Sequence, residues 1–294
     1  MIYVNLSGGL GNQMFQYAIA KQYQFVTNQE ICLNLYEYQS GNIRSYELDQ
    51  LNIDKNVRIT NRKPKWYLND KNYFNKMFRK SNDIEYMKFC AKFYNALVWY
   101  PEYKIDLPPI DLKKDIYISG YWQCKDYFAD VENILKKEFL PKITVTKLNE
   151  DFLNKICNSE SICVAVRRGD YVNNKKIKKL YYVCDIPYYV KGIEYIKSIK
   201  PNAVVFVFSN DINWVKENIP ISGEVYYENV NNTSCETLKL MLSCKNFVIS
   251  NSSFNWWAQY LSSNKEKIVC APSRWYTNGR KCDIFEPFWH LVEV

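Results

Sequence analysis

The chain has 294 residues, 47% hydrophobic and 24% charged, a composition that excludes general disorder and allows one large domain or two modest ones. A formal charge of +8 suits an anionic ligand, but suits nucleic acid or an acidic membrane surface equally well, so charge alone selects no partner. Ten scattered cysteines without CxxC spacing do not read as a disulfide framework or a zinc site, and one histidine leaves little room for His-based catalysis.

In chain order, residues 2–6 read as a strand, 12–26 as a helix with Phe15, Ala18, Ile19, Phe25 and Val26 on one side, and 31–35 as a second strand. The stretch 54–100 is irregular, basic and aromatic. A strand over 115–119 and a helix over 126–139, ended by Pro141, close this half, and 140–160 is the natural boundary. Beyond it, short apolar runs at 162–166, 203–208, 224–227, 246–250 and 267–271 alternate with helical spacing at 187–200, 211–218, 233–244 and 253–262. Thr233 and Glu236 form a capping-box pattern. Such alternation predicts a parallel, Rossmann-like sheet. The expectation is an α/β protein of two Rossmann-like domains facing a cleft, 1–145 and 146–294.

Four segments sit where such sheets bind ligands, after the strands. Arg167 and Arg168, followed by Gly169 and Asp170, put bidentate donors at a strand end, where a phosphate can lie and Asp170 can orient a guanidinium. An ordinary surface ion pair is the plainer alternative. Asn251, Ser252, Ser253 and Phe254 open a helix whose free N–H groups suit an anion; the serine hydroxyls either cap that helix or contact the ligand. The Trp256 and Trp257 pair reads as packing. Asp211 follows another strand and either accepts from a guanine or ribose group or caps the next helix. Gly8, Gly9 and Gly11 precede the first helix, but Met14 stands where a dinucleotide fingerprint needs glycine, so close backbone approach to a sugar or phosphate is the better use.

No GxxxxGK[ST] loop, DxD triplet or histidine cluster is present, so the sequence offers arginines and a helix dipole, rather than a metal, to neutralise a diphosphate. The lysines at 175, 176, 178 and 179 read as a solvated loop, with no nucleic-acid-binding motif beside them. No apolar run nears the roughly 18 residues that span a bilayer, and Met1 leads straight into the first strand. The expectation is a cytoplasmic protein, with peripheral membrane contact allowed.

Taken together, four segments resemble glycosyltransferase family 11, the inverting α-1,2-fucosyltransferases that use GDP-β-L-fucose. They are Gly8-Gly9-Leu10-Gly11-Asn12-Gln13-Met14-Phe15-Gln16-Tyr17-Ala18, Gly120-Tyr121-Trp122-Gln123 with Tyr127-Phe128, Arg167-Arg168-Gly169-Asp170-Tyr171, and Asn251-Ser252-Ser253-Phe254-Asn255-Trp256-Trp257. The resemblance implies a GT-B-type fold, with the donor in the C-terminal half, and transfer without metal or other cofactor to a galactose-containing acceptor. It implies that Arg167 and Arg168 meet the diphosphate, Ser252 or Ser253 the β-phosphate, and Asp211 the guanine. Gly9, Gly11, Asn12, Gln13, Asn251 and Phe254 join the donor set, Asp170 the catalytic set, and Tyr121 and Gln123 the acceptor side. Ala165 stands where the family motif usually carries histidine, and Gln259 and Tyr260 replace a glycine-containing run. The catalytic base stays open among carboxylates such as Glu47, Asp49 and Glu102. A transferase for another nucleotide-activated 6-deoxyhexose and a carbohydrate-binding protein are the competing readings.

Overall fold

The computed structural model describes residues 1–39, 44–62, 83–99, 103–169, 172, 174, 179–279 and 281–294. The chain divides into two units, Met1–Phe139 with Lys281–Ile284, and Leu140–Arg280 with Phe285–Val294.

In the first unit β1 (Ile2–Asn5), β2 (Ile31–Asn34), β3 (Arg58–Thr60), β4 (Ala96–Trp99) and β5 (Ile116–Gly120) pair in parallel, in the order β3-β2-β1-β5-β4. Helix α1 (Leu10–Thr27) covers β1, β2 and β5 with Leu10, Met14, Phe15, Ala18 and Ile19 buried. Phe25 and Val26, expected on the buried side, are instead 61% and 57% exposed. An 18-residue helix runs about 27 Å, whereas a four-residue strand covers about 13 Å, so the last turn of α1 outruns the sheet it packs on. Asn28, in the left-handed region at φ 57, ends the helix.

The helix expected over 126–139 is broken. Lys125–Val131 is a 3₁₀ segment with non-helical backbone at Phe128, and only Glu132–Glu138 is α-helical (α3). The break lets the Phe128 ring pack at 5.9 Å from Phe15 while Tyr127 meets Trp122 edge-on. Tertiary packing here overrides the local helical pattern. The stretch read as irregular contains β3, α2 (Asp83–Tyr94) and β4 among its described residues.

The second unit holds β6 (Ser161–Val166), β7 (Val204–Ser209), β8 (Val225–Tyr227), β9 (Asn246–Ile249), β10 (Val269–Pro272) and β11 (His290–Val292). All pair in parallel, in the order β11-β10-β9-β6-β7-β8. Between them run α5 (Ile186–Ile199), α6 (Ile212–Asn218), α7 (Ser234–Leu242) and α8 (Ser253–Leu261), and α4 (Lys147–Asn158) precedes β6. Every residue of β6 is buried, as a parallel strand covered on both faces requires. Ile162, Val164, Val205 and Val207 join the core under α5, while Phe206 and Phe208 meet Phe152 of α4 edge-on.

Helix α4 occupies part of the stretch read as a boundary. The Thr233 side chain accepts from Glu236 N–H at the start of α7. The Glu236 carboxylate accepts from Thr146 and Asn149 instead of completing the box, tying the start of α4 to α7. All ten cysteines are free. Among the described residues, no helix is long and apolar enough to cross a membrane.

Candidate active site

Counted from β6, the second unit has strand order 3-2-1-4-5-6. The chain runs from β6 through β7 to β8 on one side and then crosses to β9 on the other flank of β6, so the carboxyl end of β6 is the topological switch point, where such sheets open a crevice for ligands.

Three loops meet on this edge. Val166 pairs with Ser209, which sets the Arg167-Arg168 turn beside Asn210 and Asp211. Ala165 pairs with Ile249, and Ser250 N–H donates to Ala165 O at 3.1 Å, which sets the start of α8 on the other flank. Paired strands lie about 4.8 Å apart, so both flanking loops are immediate neighbours of the arginine turn. Ala165 itself is buried in the strand.

Arg168 is held from several directions. Its guanidinium carbon lies 3.4 Å from the centre of the Trp214 ring, its Nε is 3.4 Å from Asp211 Oδ2, and its backbone N–H donates to Asn210 Oδ1 at 3.1 Å. The side chain is 18% exposed, so the stack on indole is partly desolvated and correspondingly firm. Gly169 packs so closely on Asn210 that a Cβ there would clash with the amide. Arg167 is half-buried on the same turn. Asp170 and Tyr171 lie outside the described residues, as do Lys175, Lys176, Lys178 and Glu102. Among the described residues the carboxylate paired with Arg168 is Asp211.

Asp211 was expected to meet guanine or cap a helix. It caps α6 by accepting from Trp214 N–H and also pairs with Arg168, which leaves its carboxylate engaged within the protein. Asn251 is likewise a framework group. It is 1% exposed, and its amide donates to the Tyr182 and Trp275 carbonyls at 2.7 Å each. The buried amide is thereby committed to two backbone carbonyls, one of which, Trp275 O, also accepts from Tyr182 N–H.

Ser252 is the N-cap residue of α8 and makes no side-chain cap bond, and no acidic residue stands in the first turn. Ser252, Ser253 and Phe254 are all half-buried at this positive helix end. Asn255 braces the loop by donating to Ser250 Oγ at 2.8 Å, and Trp256 and Trp257 pack edge-on in the core. Beneath the loops lie Tyr188 and Tyr189, fully buried, with their phenols pushed well above the ordinary value by burial.

The first unit has its own switch point between β1 and β5, occupied by the glycine turn. Gly8 takes φ +77, and a Cβ there would come within 2.6 Å of Asn12 Nδ2. Gly9 is the N-cap of α1 without a side-chain cap bond, and Gly11 is buried in the first turn. Gln13, expected to reach the donor, is fully buried. Its amide donates to the Gly8 and Ser45 carbonyls, and its Oε1 accepts from Glu47 N–H at 2.9 Å. As with Asn251, the side chain is committed to backbone groups of the surrounding loops. Gln123 donates to Asn12 Oδ1 at 2.9 Å, so these two fix one another, and Tyr121 is exposed.

Sequence reasoning gave no role to Asn210, Trp214 or Glu228. Asn210 and Trp214 flank Asp211 closely in the chain, and a tryptophan three residues after a capping aspartate was the available signal. Glu228 carried none, because its partners are set by the sheet.

A doubly wound sheet with guanidiniums and an uncapped helix start at its switch point defines a nucleotide-binding class of α/β protein. The Glycosyl transferase family 11 profile matches residues 1–293, and the chain belongs to that family. The Escherichia coli alpha-1,2-colitosyltransferase is 30% identical over 98% of this chain and 96% of its own. The Escherichia coli O-antigen biosynthesis glycosyltransferase WbnK is 30% identical over 98% and 99%. The NodZ alpha-1,6-fucosyltransferase co-crystallized with GDP superposes with a TM-score of 0.51 at 11% identity, covering 88% of this chain and 91% of that one. The fold is therefore GT-B-like, with two Rossmann-like units in one chain, and the protein is a glycosyltransferase.

Proposed function

We propose that the protein is an inverting, metal-independent transferase that moves L-fucose from GDP-β-L-fucose to a galactoside hydroxyl, forming an α-1,2 linkage during surface-glycan synthesis. The observation that carries this reading is the meeting of the Arg167-Arg168 turn with the Ser252-Ser253 helix start on one strand edge. Fixed positive charge and the positive end of a helix dipole together suit a departing diphosphate. The GDP bound to NodZ and the O-antigen role in the name of WbnK support the donor class and the pathway.

In this mechanism the acceptor oxygen attacks the anomeric carbon from the face opposite the diphosphate. The new C–O bond forms as the bond to the β-phosphate oxygen breaks, the hydroxyl proton passes to a base, and GDP leaves with the bonding pair. The transition state is oxocarbenium-like, so charge grows on the leaving group. Arg168, already held by Trp214 and Asp211, meets that charge without reorganising, and Arg167 and the α8 N–H groups add to it. The protein works at the cytoplasmic face of the membrane, with peripheral contact.

A second reading is favoured by the colitosyltransferase relative. Colitose lacks the 3-hydroxyl of fucose, so the two donors differ by one hydrogen-bonding group. Purified protein in EDTA, given labelled GDP-fucose or GDP-colitose and a β-galactoside, separates these readings by which sugar is transferred. Arg167→Ala and Arg168→Ala are each expected to lower kcat by about 10²–10³. Loss of activity in EDTA that Mg²⁺ or Mn²⁺ restores, or full activity in both variants, overturns the proposal.

A further inference from the structure

Glu228 is a buried carboxylate that the transfer mechanism does not use. It follows β8, is 8% exposed, and is held from two elements, β7 and α7. Its Oε1 accepts from Ser209 N–H at 2.8 Å, its Oε2 accepts from Thr237 Oγ1 of α7 at 2.8 Å, and its own N–H donates to Val207 O at 3.0 Å.

Ser209 ends β7 and is the link to the arginine turn. Its Oγ accepts from Asp211 N–H at 3.0 Å, Asp211 Oδ2 lies 3.4 Å from Arg168 Nε, and Asn210 Oδ1 accepts from Arg168 N–H at 3.1 Å. A continuous path of polar contacts thus runs from Glu228 through the 209–211 turn to both the backbone and the guanidinium of Arg168.

We infer that Glu228 is a positioning residue for the diphosphate site, fixing the 209–211 turn and, through it, the direction in which Arg168 presents its guanidinium. The inference rests on the functional reading above, in which Arg168 meets the diphosphate. The chemistry favours a carboxyl group here. Two donors from different elements converge on one small buried space, and a carboxyl group accepts from both with separate oxygens. An apolar side chain would strand Ser209 N–H, and the turn would shift to find water or another acceptor. Burial pushes this carboxyl up to about 7, so it places less than a full negative charge behind a site built for an anion.

A group that only stabilised the unit would lower its melting temperature and leave ligand affinity unchanged. A positioning group changes affinity for the diphosphate. The test is titration calorimetry of the full chain with GDP. Glu228→Ala is expected to raise Kd about tenfold, the loss expected when one charge-assisted contact is misplaced. Glu228→Gln, whose amide oxygen still accepts from Ser209 N–H and whose NH₂ can meet the Thr237 hydroxyl, is expected to stay within about threefold of wild type. Ser209→Ala removes only the Asp211 link and keeps the test open if Glu228→Ala does not fold; it is expected to weaken GDP about threefold to tenfold. Ser262→Ala deletes a buried bond to Cys244 O in the same unit, away from the β6 carboxyl edge, and serves as the control that lowers stability alone. Unchanged GDP affinity in Ser209→Ala and in folded Glu228→Ala, or equal weakening in Ser262→Ala, overturns the inference. Failure of the wild-type protein to bind GDP overturns the functional reading beneath it, and the inference with it.

Discussion

Arg168 illustrates how much of this site is decided by single contacts. A free surface arginine samples many rotamers, whereas this one lies flat on Trp214 with Asp211 beside its Nε. A partly desolvated cation–π stack contributes about 1–2 kcal/mol, so Trp214→Ala is expected to weaken GDP binding by about 5–30-fold, with Trp214→Phe intermediate. Calorimetric titration of the two variants checks the order. Glu228 gives a prediction in pH. Its folded-state value of about 7 lies above the ordinary 4.5, so the folded protein binds the extra proton between those values. The stability associated with that proton is full below about pH 4.5 and is lost as pH rises through 7. Its size is on the order of 3 kcal/mol. Glu228→Gln, which cannot ionise, is expected to flatten the fall in melting temperature across that window. A wild-type slope retained in the variant would locate the proton elsewhere.

The start of α8 separates two roles that look identical in sequence. A serine at an N-cap ordinarily accepts from the N2 or N3 amide, and losing that bond costs about 1 kcal/mol. Ser252 makes no such bond. Ser252→Ala is therefore expected to change unfolding free energy by less than about 0.5 kcal/mol while weakening GDP, measured by urea unfolding and titration of the same preparation. A large stability loss with unchanged affinity would make Ser252 a cap and nothing more. The opposite assignment holds for Asp211, whose side chain does cap its helix and pairs with Arg168 as well.

For the molecule as a whole, ligand specificity is readable as stability. A nucleotide that binds only the folded state at a hundredfold excess over Kd stabilises it by about 2.7 kcal/mol. In a chain of this size that amounts to a rise of a few degrees in melting temperature. GDP is expected to produce it and UDP and dTDP are not, by thermal shift under matched salt. Equal shifts with all three would remove the base from the recognition scheme and leave the diphosphate alone.

The alternation of short apolar runs and helical spacing in 162–271 was enough, in the sequence alone, to expect a parallel sheet with the arginines and serines at strand ends, because strand and helix periods are local properties. So was membership of the family, carried by contiguous motifs such as the glycine turn and the 251–257 run. Tertiary structure alone decided which polar side chains are taken up by the protein's own backbone. Asn251 and Gln13 look like binding groups in a string of residues, yet each is enclosed by backbone carbonyls that only the folded loops bring near. Glu228 looks like an ordinary loop acid until β7 and α7 close on it. The break at Phe128 and the exposed end of α1 have the same origin. Burial and hydrogen-bond satisfaction depend on residues distant in sequence, and a pattern read along one segment contains no information about them.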